Sequence, residues 1–230
     1  MLKNPFKNLK KHEWILWLTS VFVVAASNFL TGSVQLMTLF STVIGVTALI
    51  FVAKGDVWGQ VLTVVFSVLY SVTSLQFRYY GEMITYLGMT APIAVLSVVS
   101  WLRHPFQKGK NEVKIHRLTR VQIFAMWGLA AAVTTGFFFV LQAFDTPNLA
   151  VSTVSVTTSF VASYLMLYRN SYYALAYAAN DVVLITLWVL ASMEDLSYLP
   201  MILCFSMFFI NDLYGFASWK LRERTQRAKA

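Results

Sequence analysis

Eight apolar runs, each close to the length that spans a bilayer, dictate what this chain can fold into. A helix needs about 20 apolar residues to cross roughly 30 Å of hydrocarbon, where the backbone must satisfy its own hydrogen bonds. The runs fall at 14–30, 34–52, 57–76, 83–102, 121–143, 149–168, 172–190 and 199–219. Short breaks carrying charge, glycine or proline separate them, among them Lys54-Gly55-Asp56, 78–82, Asp145-Thr146-Pro147, Arg169-Asn170 and Glu194-Asp195. Only 12% of the residues are charged and 58% are hydrophobic, whereas a soluble domain carries about 25% charged residues. A soluble enzyme, a disulfide scaffold and a disordered chain all fit poorly, and the expectation is an all-α membrane protein with eight transmembrane helices. The single cysteine, Cys204, lies in an apolar run and supports no disulfide framework.

Cytoplasmic loops retain positive charge, so counting Lys and Arg on alternate sides sets the orientation. With the N-terminus inside, 17 of the 18 basic residues are cytoplasmic and Arg78 alone is outside, together with Glu82, Asp145, Glu194 and Asp195. Both ends are expected in the cytoplasm, in a cell (inner) membrane. The first run has a basic flank and contains Ala25-Ala26-Ser27, a small-residue pattern like a leader cleavage site, but its length suits a retained span. The basic flanks, which give the chain a net charge of +8, are read as orientation signals rather than a nucleic-acid surface.

A weak internal match at an offset of about 115 residues sets Lys54-Gly55 on Arg169-Asn170, Trp58 on Tyr173, and Trp101-Leu102-Arg103 on 219–222. The acidic turn at Glu82 answers Glu194-Asp195. Each repeat holds three helices, and one helix between them restores the orientation. The expected plan is an accessory helix plus a 3+1+3 arrangement of two parallel repeats. Its segments are 1–32 (N-terminus and accessory helix), 33–103 (first bundle), 104–147 (basic loop and linker helix), 148–220 (second bundle) and 221–230 (basic tail).

Ionisable groups at membrane depth are costly and mark function. Asp181 lies mid-way along the seventh run and Asp212 in the inner half of the eighth, and each follows an asparagine, Asn180 and Asn211. Tyr173, Tyr177, Asn180, Asp181, Leu184 and Trp188 recur at spacings of three and four, which places them on one broad helical face. Such a wall suits a small, flat, hydroxylated ligand: the amides of Asn180 and Asn211 pair with hydroxyls, and aromatic rings stack on a ring cation. The third run adds Gln60, Ser67, Tyr70, Ser71 and Ser74, and the sixth adds Thr153, Thr157, Ser159 and Ser163; for these hydroxyls, tying helices together is the simpler role. Trp14, Trp101, Trp219, Tyr86 and Tyr198 sit at span ends and read as interface anchors. Asp212 has an alternative role as a bundle lock paired with Lys54. Gly128, Ala132 and Gly136 form a small-residue ladder suited either to packing the bundles or to packing a second subunit.

No phosphate-cradling G-x-x-x-x-G-K-[ST] loop is present, and Lys108-Gly109-Lys110 is loop charge. His12, His104 and His116 are dispersed, so neither metal nor cofactor is expected. Asp181 and Asp212 could alternatively form the dyad of an intramembrane aspartyl enzyme, but the Tyr-Asp and Gly-x-Gly-Asp patterns of such enzymes are missing around them.

Several local patterns resemble the PnuC family of vitamin transporters. They are Ala53-Lys54-Gly55, Tyr80-Gly81-Glu82-Met83 with Pro92 downstream, Asp181, and the Gly-aromatic-x-x-Trp ending Gly215-Phe216-Ala217-Ser218-Trp219. The resemblance covers nearly the whole chain. It implies a fold like an enlarged SWEET sugar transporter, with nicotinamide riboside bound between the bundles. It also implies facilitated diffusion without ATP, trapping by a separate cytoplasmic kinase, and a homo-oligomer, specifically a trimer. One departure bears on the vitamin: the family's Trp-x-x-Trp before the aspartate is here Ala174 and Tyr177, with Tyr172 and Tyr173 adjacent. Thiamine and riboflavin therefore stay open beside nicotinamide riboside. The residues expected at the site are Tyr173, Tyr177 and Trp188 for stacking, Asn180, Asn211 and Gln60 for hydrogen bonds, Tyr70 on the facing stripe, and Asp181 and Asp212 for charge or gating.

Overall fold

The structure, a computed structural model, describes residues 4–29, 36–107 and 111–229. The boundary expected at 32–33 lies outside the described residues. Among the described residues the regular elements are helical: α1 (Lys11–Phe29), α2 (Leu36–Ala53), α3 (Val57–Gln76), α4 (Tyr80–Thr85), α5 (Ala91–Arg103), α6 (Arg120–Ala143), α7 (Leu149–Leu167), α8 (Tyr173–Ser192) and α9 (Leu199–Arg227). Two isolated β-bridges are the sole extended pairing among the described residues. Seven helical stretches are long and apolar enough to cross a membrane, with α4 and α5 counting as one continuous stretch, Tyr80–Arg103. Helix α1 is a further helix of 19 residues that carries Lys11 and Glu13 in its first turn.

Two helix limits differ from the sequence reading, each for a local reason. The fourth stretch begins at Tyr80, so Glu82 lies inside a helix, buried, and not in an outer turn. A five-residue π turn, Tyr86–Thr90, then separates α4 from α5. Pro92 lacks an N–H and its ring would press on the carbonyl four residues back, at Gly88; widening the turn there relieves both problems. Helix α9 runs to Arg227, two turns past the last apolar residues, because its basic end packs on the loop before α6.

Helices α2, α3 and α4–α5 pack together, as do α7, α8 and α9, and the two groups meet where α2 lies on α9 and α5 on α7. Helix α1 leans on α2 and α9. Helix α6 rests mainly on α7 and buries only Met126, Ala130 and Leu141.

The two groups are fastened by matching pairs of bonds. The Trp219 indole donates to the Val52 carbonyl at the end of α2 (2.8 Å), and the Trp101 indole to the Met166 carbonyl at the end of α7 (3.2 Å). Ser218 donates to the Ala53 carbonyl (2.8 Å), and Ser100 to the Leu167 carbonyl (3.1 Å). The last carbonyls of a helix have no partner within it, so each group caps the other. The turns that follow also correspond. Gly55 and Arg169 both take positive φ (66° and 56°), and the Asp56 and Asn170 side chains each accept the N–H two residues on, both at 3.0 Å. Gly55 therefore answers Arg169 and not Asn170, one residue off the register read from the sequence. Burial pushes the Asp56 carboxyl above its ordinary range, opposed by the bonds it accepts.

These contacts correct the reading of the span-end aromatics. Trp101 and Trp219 are fully buried with ring centroids 5.5 Å apart, and Tyr86 is buried as well, so none of the three anchors the chain at an interface. Replacing Trp101 or Trp219 by Phe removes the indole bond and leaves the carbonyl with only its turn N–H, from Arg169 or Gly55 respectively, at a net cost of about 0.5–1.5 kcal/mol. Each variant is expected to lower the unfolding temperature in detergent, and by similar amounts; a much larger loss at one position would separate their roles.

Candidate functional site

Between the two groups, at mid-depth, lies a small cavity of about 50 Å³. Helices α2 and α3 contribute Gly45, Leu49, Thr63 and Phe66 to its wall, and the π turn contributes Tyr86 and Thr90. From the other group come Met166, Tyr177, Asn180, Asp181, Phe208 and Asp212. Among the described residues no Lys, Arg or His lines it.

Four of the expected site residues meet at this cavity: Tyr177, Asn180, Asp181 and Asp212. The Asp181 and Asp212 carboxyls both line the cavity as interacting neighbours, and Asp181 Oδ2 has no hydrogen-bond partner. The Asn180 Oδ1 accepts from the Thr158 and Ser159 hydroxyls of α7, at 2.7 and 3.0 Å. Both hydroxyls engage the oxygen, which leaves the NH₂ end of the amide as the donor available to the cavity. The Tyr177 hydroxyl is held by Ser163 at 2.9 Å. The α7 hydroxyls thus orient the residues of α8.

The other five expected residues lie elsewhere. Tyr173 packs against Trp219, with centroids 4.7 Å apart and its hydroxyl toward Gly215, where a Cβ would come within 3.3 Å of it. Trp188 donates to the Tyr70 hydroxyl (3.2 Å) and packs at a tilt against the rings of Tyr79 and Tyr198, so Trp188 and Tyr70 form a cluster at the end away from the basic loops. Asn211 donates to Ser20 of α1 at 2.9 Å, tying α9 to α1. Gln60 is buried, does not line the cavity, and its Nε2 has no partner.

The proposed lock between Asp212 and Lys54 is not formed. Lys54 Nζ bonds Glu13 at 2.7 Å and the Asn8 carbonyl at 2.7 Å, and the Tyr214 hydroxyl donates to the same Glu13 at 2.8 Å. The Lys54 and Glu13 side chains are 11% and 2% exposed, so removing the cation strands a buried carboxylate.

The sequence reading missed Tyr86, Thr90, Phe66 and Phe208 as cavity residues, and Glu82 as a polar link between the groups. Glu82 Oε1 accepts from Ser155 of α7 at 3.1 Å. A fourth span starting at Tyr80 carries Tyr86 about 9 Å along the helix axis, which is enough to bring it to the cavity. Its place near an assumed span end concealed that depth.

The family described as nicotinamide mononucleotide transporter matches residues 35–221. The chain belongs to that family. A nicotinamide riboside transporter PnuC of Neisseria mucosa is 24% identical over 213 residues, covering 90% of this chain and 81% of the relative. The one of Haemophilus influenzae is 22% identical over 229 residues, 97% of both chains. A solved structure described as the crystal structure of the vitamin B3 transporter PnuC superposes with a TM-score of 0.81 at 22% identity, covering 95% of this chain and 94% of the other. The chain is thus a multi-pass membrane transporter of the PnuC family with that family's helical fold.

Within this family member, the ion pair at the start of α1 offers a separate test of structure. Lys54→Ala is expected to destabilise by about 3–5 kcal/mol, as when one partner of a buried pair is removed. The double variant Lys54→Met/Glu13→Gln recovers most of the loss, measured by unfolding in detergent. Failure of the double variant to recover would place the Lys54 contribution elsewhere.

Proposed function

We propose that the chain carries nicotinamide riboside into the cell by facilitated diffusion with alternating access, a separate cytoplasmic kinase then trapping the product. The observation that carries this reading is the chemistry of the central cavity. Two carboxyls, an oriented amide donor and tyrosine rings face it, and no cation among the described residues does. A cationic ring attached to a neutral sugar matches that set: carboxyls and aromatic faces attract the cation, and the amide pairs with hydroxyls. A phosphate would meet two carboxyls with no basic partner, so the riboside named for the relatives fits better than the mononucleotide in the family's description. Tyr177, Asn180, Asp181 and Asp212 form the site, with Tyr86 added; Tyr173, Trp188, Tyr70, Gln60 and Asn211 support it from behind.

A volume of about 50 Å³ holds one or two waters, whereas ligand pockets run to about 300–1,000 Å³. The two groups must part to admit a nucleoside, which favours alternating access. The 3+1+3 plan is supported by the matched tryptophan, serine and turn contacts and by the outlying position of α6. In this plan α1 is the accessory eighth crossing, 33–103 and 148–220 are the bundles, 104–147 is the linker, and the termini face the cytoplasm of an inner membrane. The exposed Gly128, Ala132 and Gly136 on α6 would serve the contact of a homo-oligomer.

Calorimetry on purified protein tests the ligand. Nicotinamide riboside is expected to bind at micromolar affinity or tighter, with nicotinamide mononucleotide at least 100-fold weaker. Tight binding of thiamine or riboflavin alone would keep the carrier and replace its vitamin. The twin asparagines give a sharper check: Asn180→Ala weakens riboside binding at least ten-fold, whereas Asn211→Ala leaves it within two-fold. Equal effects at both positions would move the site away from this cavity.

A further inference from the structure

At the end of the molecule where the basic residues gather, an irregular hairpin lies across both helix groups. Its first arm, 104–106, continues from α5 and pairs with 112–114, with the Phe106 N–H on the Glu112 carbonyl and the Lys114 N–H on the His104 carbonyl, both at 2.8 Å. The Val113 N–H also donates to the Gly55 carbonyl at 3.0 Å. Main-chain bonds thus fix the hairpin to the group containing α2, α3 and α5.

Its grip on the other group is made largely by side chains. Gln226 of α9, which is buried, accepts from the Ile115 N–H at 2.9 Å and donates to the Val113 carbonyl at 3.1 Å. In an extended chain those two groups, two residues apart, point to the same edge. A single carboxamide offers one acceptor and one donor side by side, so Gln226 pairs with that edge as a neighbouring strand would. Around it, Arg222 pairs with Glu112 at 3.1 Å and Arg117 with Glu223 at 3.0 Å. One main-chain bond, from the His116 N–H to the Arg169 carbonyl at 3.0 Å, joins them. Val113 of the hairpin shares a buried cluster with Trp101 and Trp219.

We propose that this hairpin is a latch over the basic end of the carrier, with Gln226 as its clasp. It stays with the first helix group, and Gln226 must release residues 113–115 before the cavity opens toward the termini. The proposal rests on the alternating-access reading. The two helix groups cannot separate at this end while one hairpin is bonded to both, and the few side-chain bonds made by Gln226, Arg117 and Arg222 are given up at lower cost than the main-chain ladder that holds the hairpin to the first group.

Two variants in a Cys204→Ser background test it. In the first, Glu112→Cys/Arg222→Cys is bridged by a bifunctional methanethiosulfonate reagent, with the bridge confirmed by mass spectrometry. Nicotinamide riboside uptake into proteoliposomes is expected to fall at least ten-fold and return on reduction, while the singly labelled cysteine variants transport normally. Unchanged uptake by bridged protein overturns the latch. Absence of uptake by the unmodified protein counts instead against the carrier reading. The second needs no substrate: Thr63→Cys, on the cavity wall, is labelled by a membrane-impermeant thiol reagent from the side presenting the C-terminus. Adding Gln226→Ala is expected to raise the labelling rate at least three-fold, and an unchanged rate overturns the clasp.

Discussion

In hydrocarbon a helix cannot leave its last carbonyls to water, and much of this architecture follows from how α2 and α7 meet that demand. Each ends near the basic surface, and each has terminal carbonyls taken by an indole and a hydroxyl from the last helix of the other group. Because the partners are reciprocal, neither group is complete at this end without the other. The bonds also set how closely the helices approach. Gly215, one turn before Trp219, leaves α8 and α2 room against α9: a Cβ there would lie 3.3 Å from the Tyr173 hydroxyl and 3.7 Å from Ala53 Cβ. The Gly-aromatic-x-x-Trp ending is therefore a device for joining the groups, and the cavity is the space that the join leaves between them.

That division of labour explains why polar residues are plentiful while few reach the cavity. Serines and threonines of α7 turn inward, yet those engaged with the site bond to Asn180 and Tyr177 and fix how those side chains present themselves. Carrying the chemistry on one helix and the supports on its neighbour lets two oriented groups and two carboxyls share a small volume.

The all-helical character, most helix limits and the gathering of basic residues at one end were legible because apolar length and basic flanks are properties of single segments. The facing of residues within a helix was not, because it depends on which neighbours pack on each side. Asn180-Asp181 and Asn211-Asp212 look alike in sequence, yet Asn180 points to the cavity and Asn211 to Ser20 on α1, a helix outside both groups. Trp188 shares the helical face of Asp181 but sits nearly two turns farther along, where it joins Tyr70, Tyr79 and Tyr198 instead. Glu82 was hidden by its charged neighbourhood: Arg78, four residues earlier, makes the segment read as a loop, and only the serine opposite, at 155, explains its burial. The weak internal match in the sequence set Gly55 on Asn170, whereas the positive φ shared by Gly55 and Arg169 pairs those two turns one residue differently, a feature that residue similarity does not encode.

The two ends of the cavity are closed by different forces, and that difference bears on transport. Away from the basic loops, Tyr79, Tyr198 and Trp188 close the path with ring contacts across the two groups, reinforced by the Trp188 bond to Tyr70. Parting them exposes apolar area and forfeits about 0.5–1.5 kcal/mol per ring pair beyond that area. At the basic end, the outermost layer is Gln226, Glu223 and the arginines around the hairpin, groups that trade a protein partner for water at a net cost of about 0.5–1.5 kcal/mol per bond. Below that layer the Trp101 and Trp219 pair supplies a second barrier whose indole bonds are buried. A carrier built this way meets an apolar barrier on one side and a polar layer over an indole pair on the other. Under the alternating-access proposal, the balance between forms open at one end or the other rests on a few residues at each end, with the cavity chemistry left unchanged as either end parts.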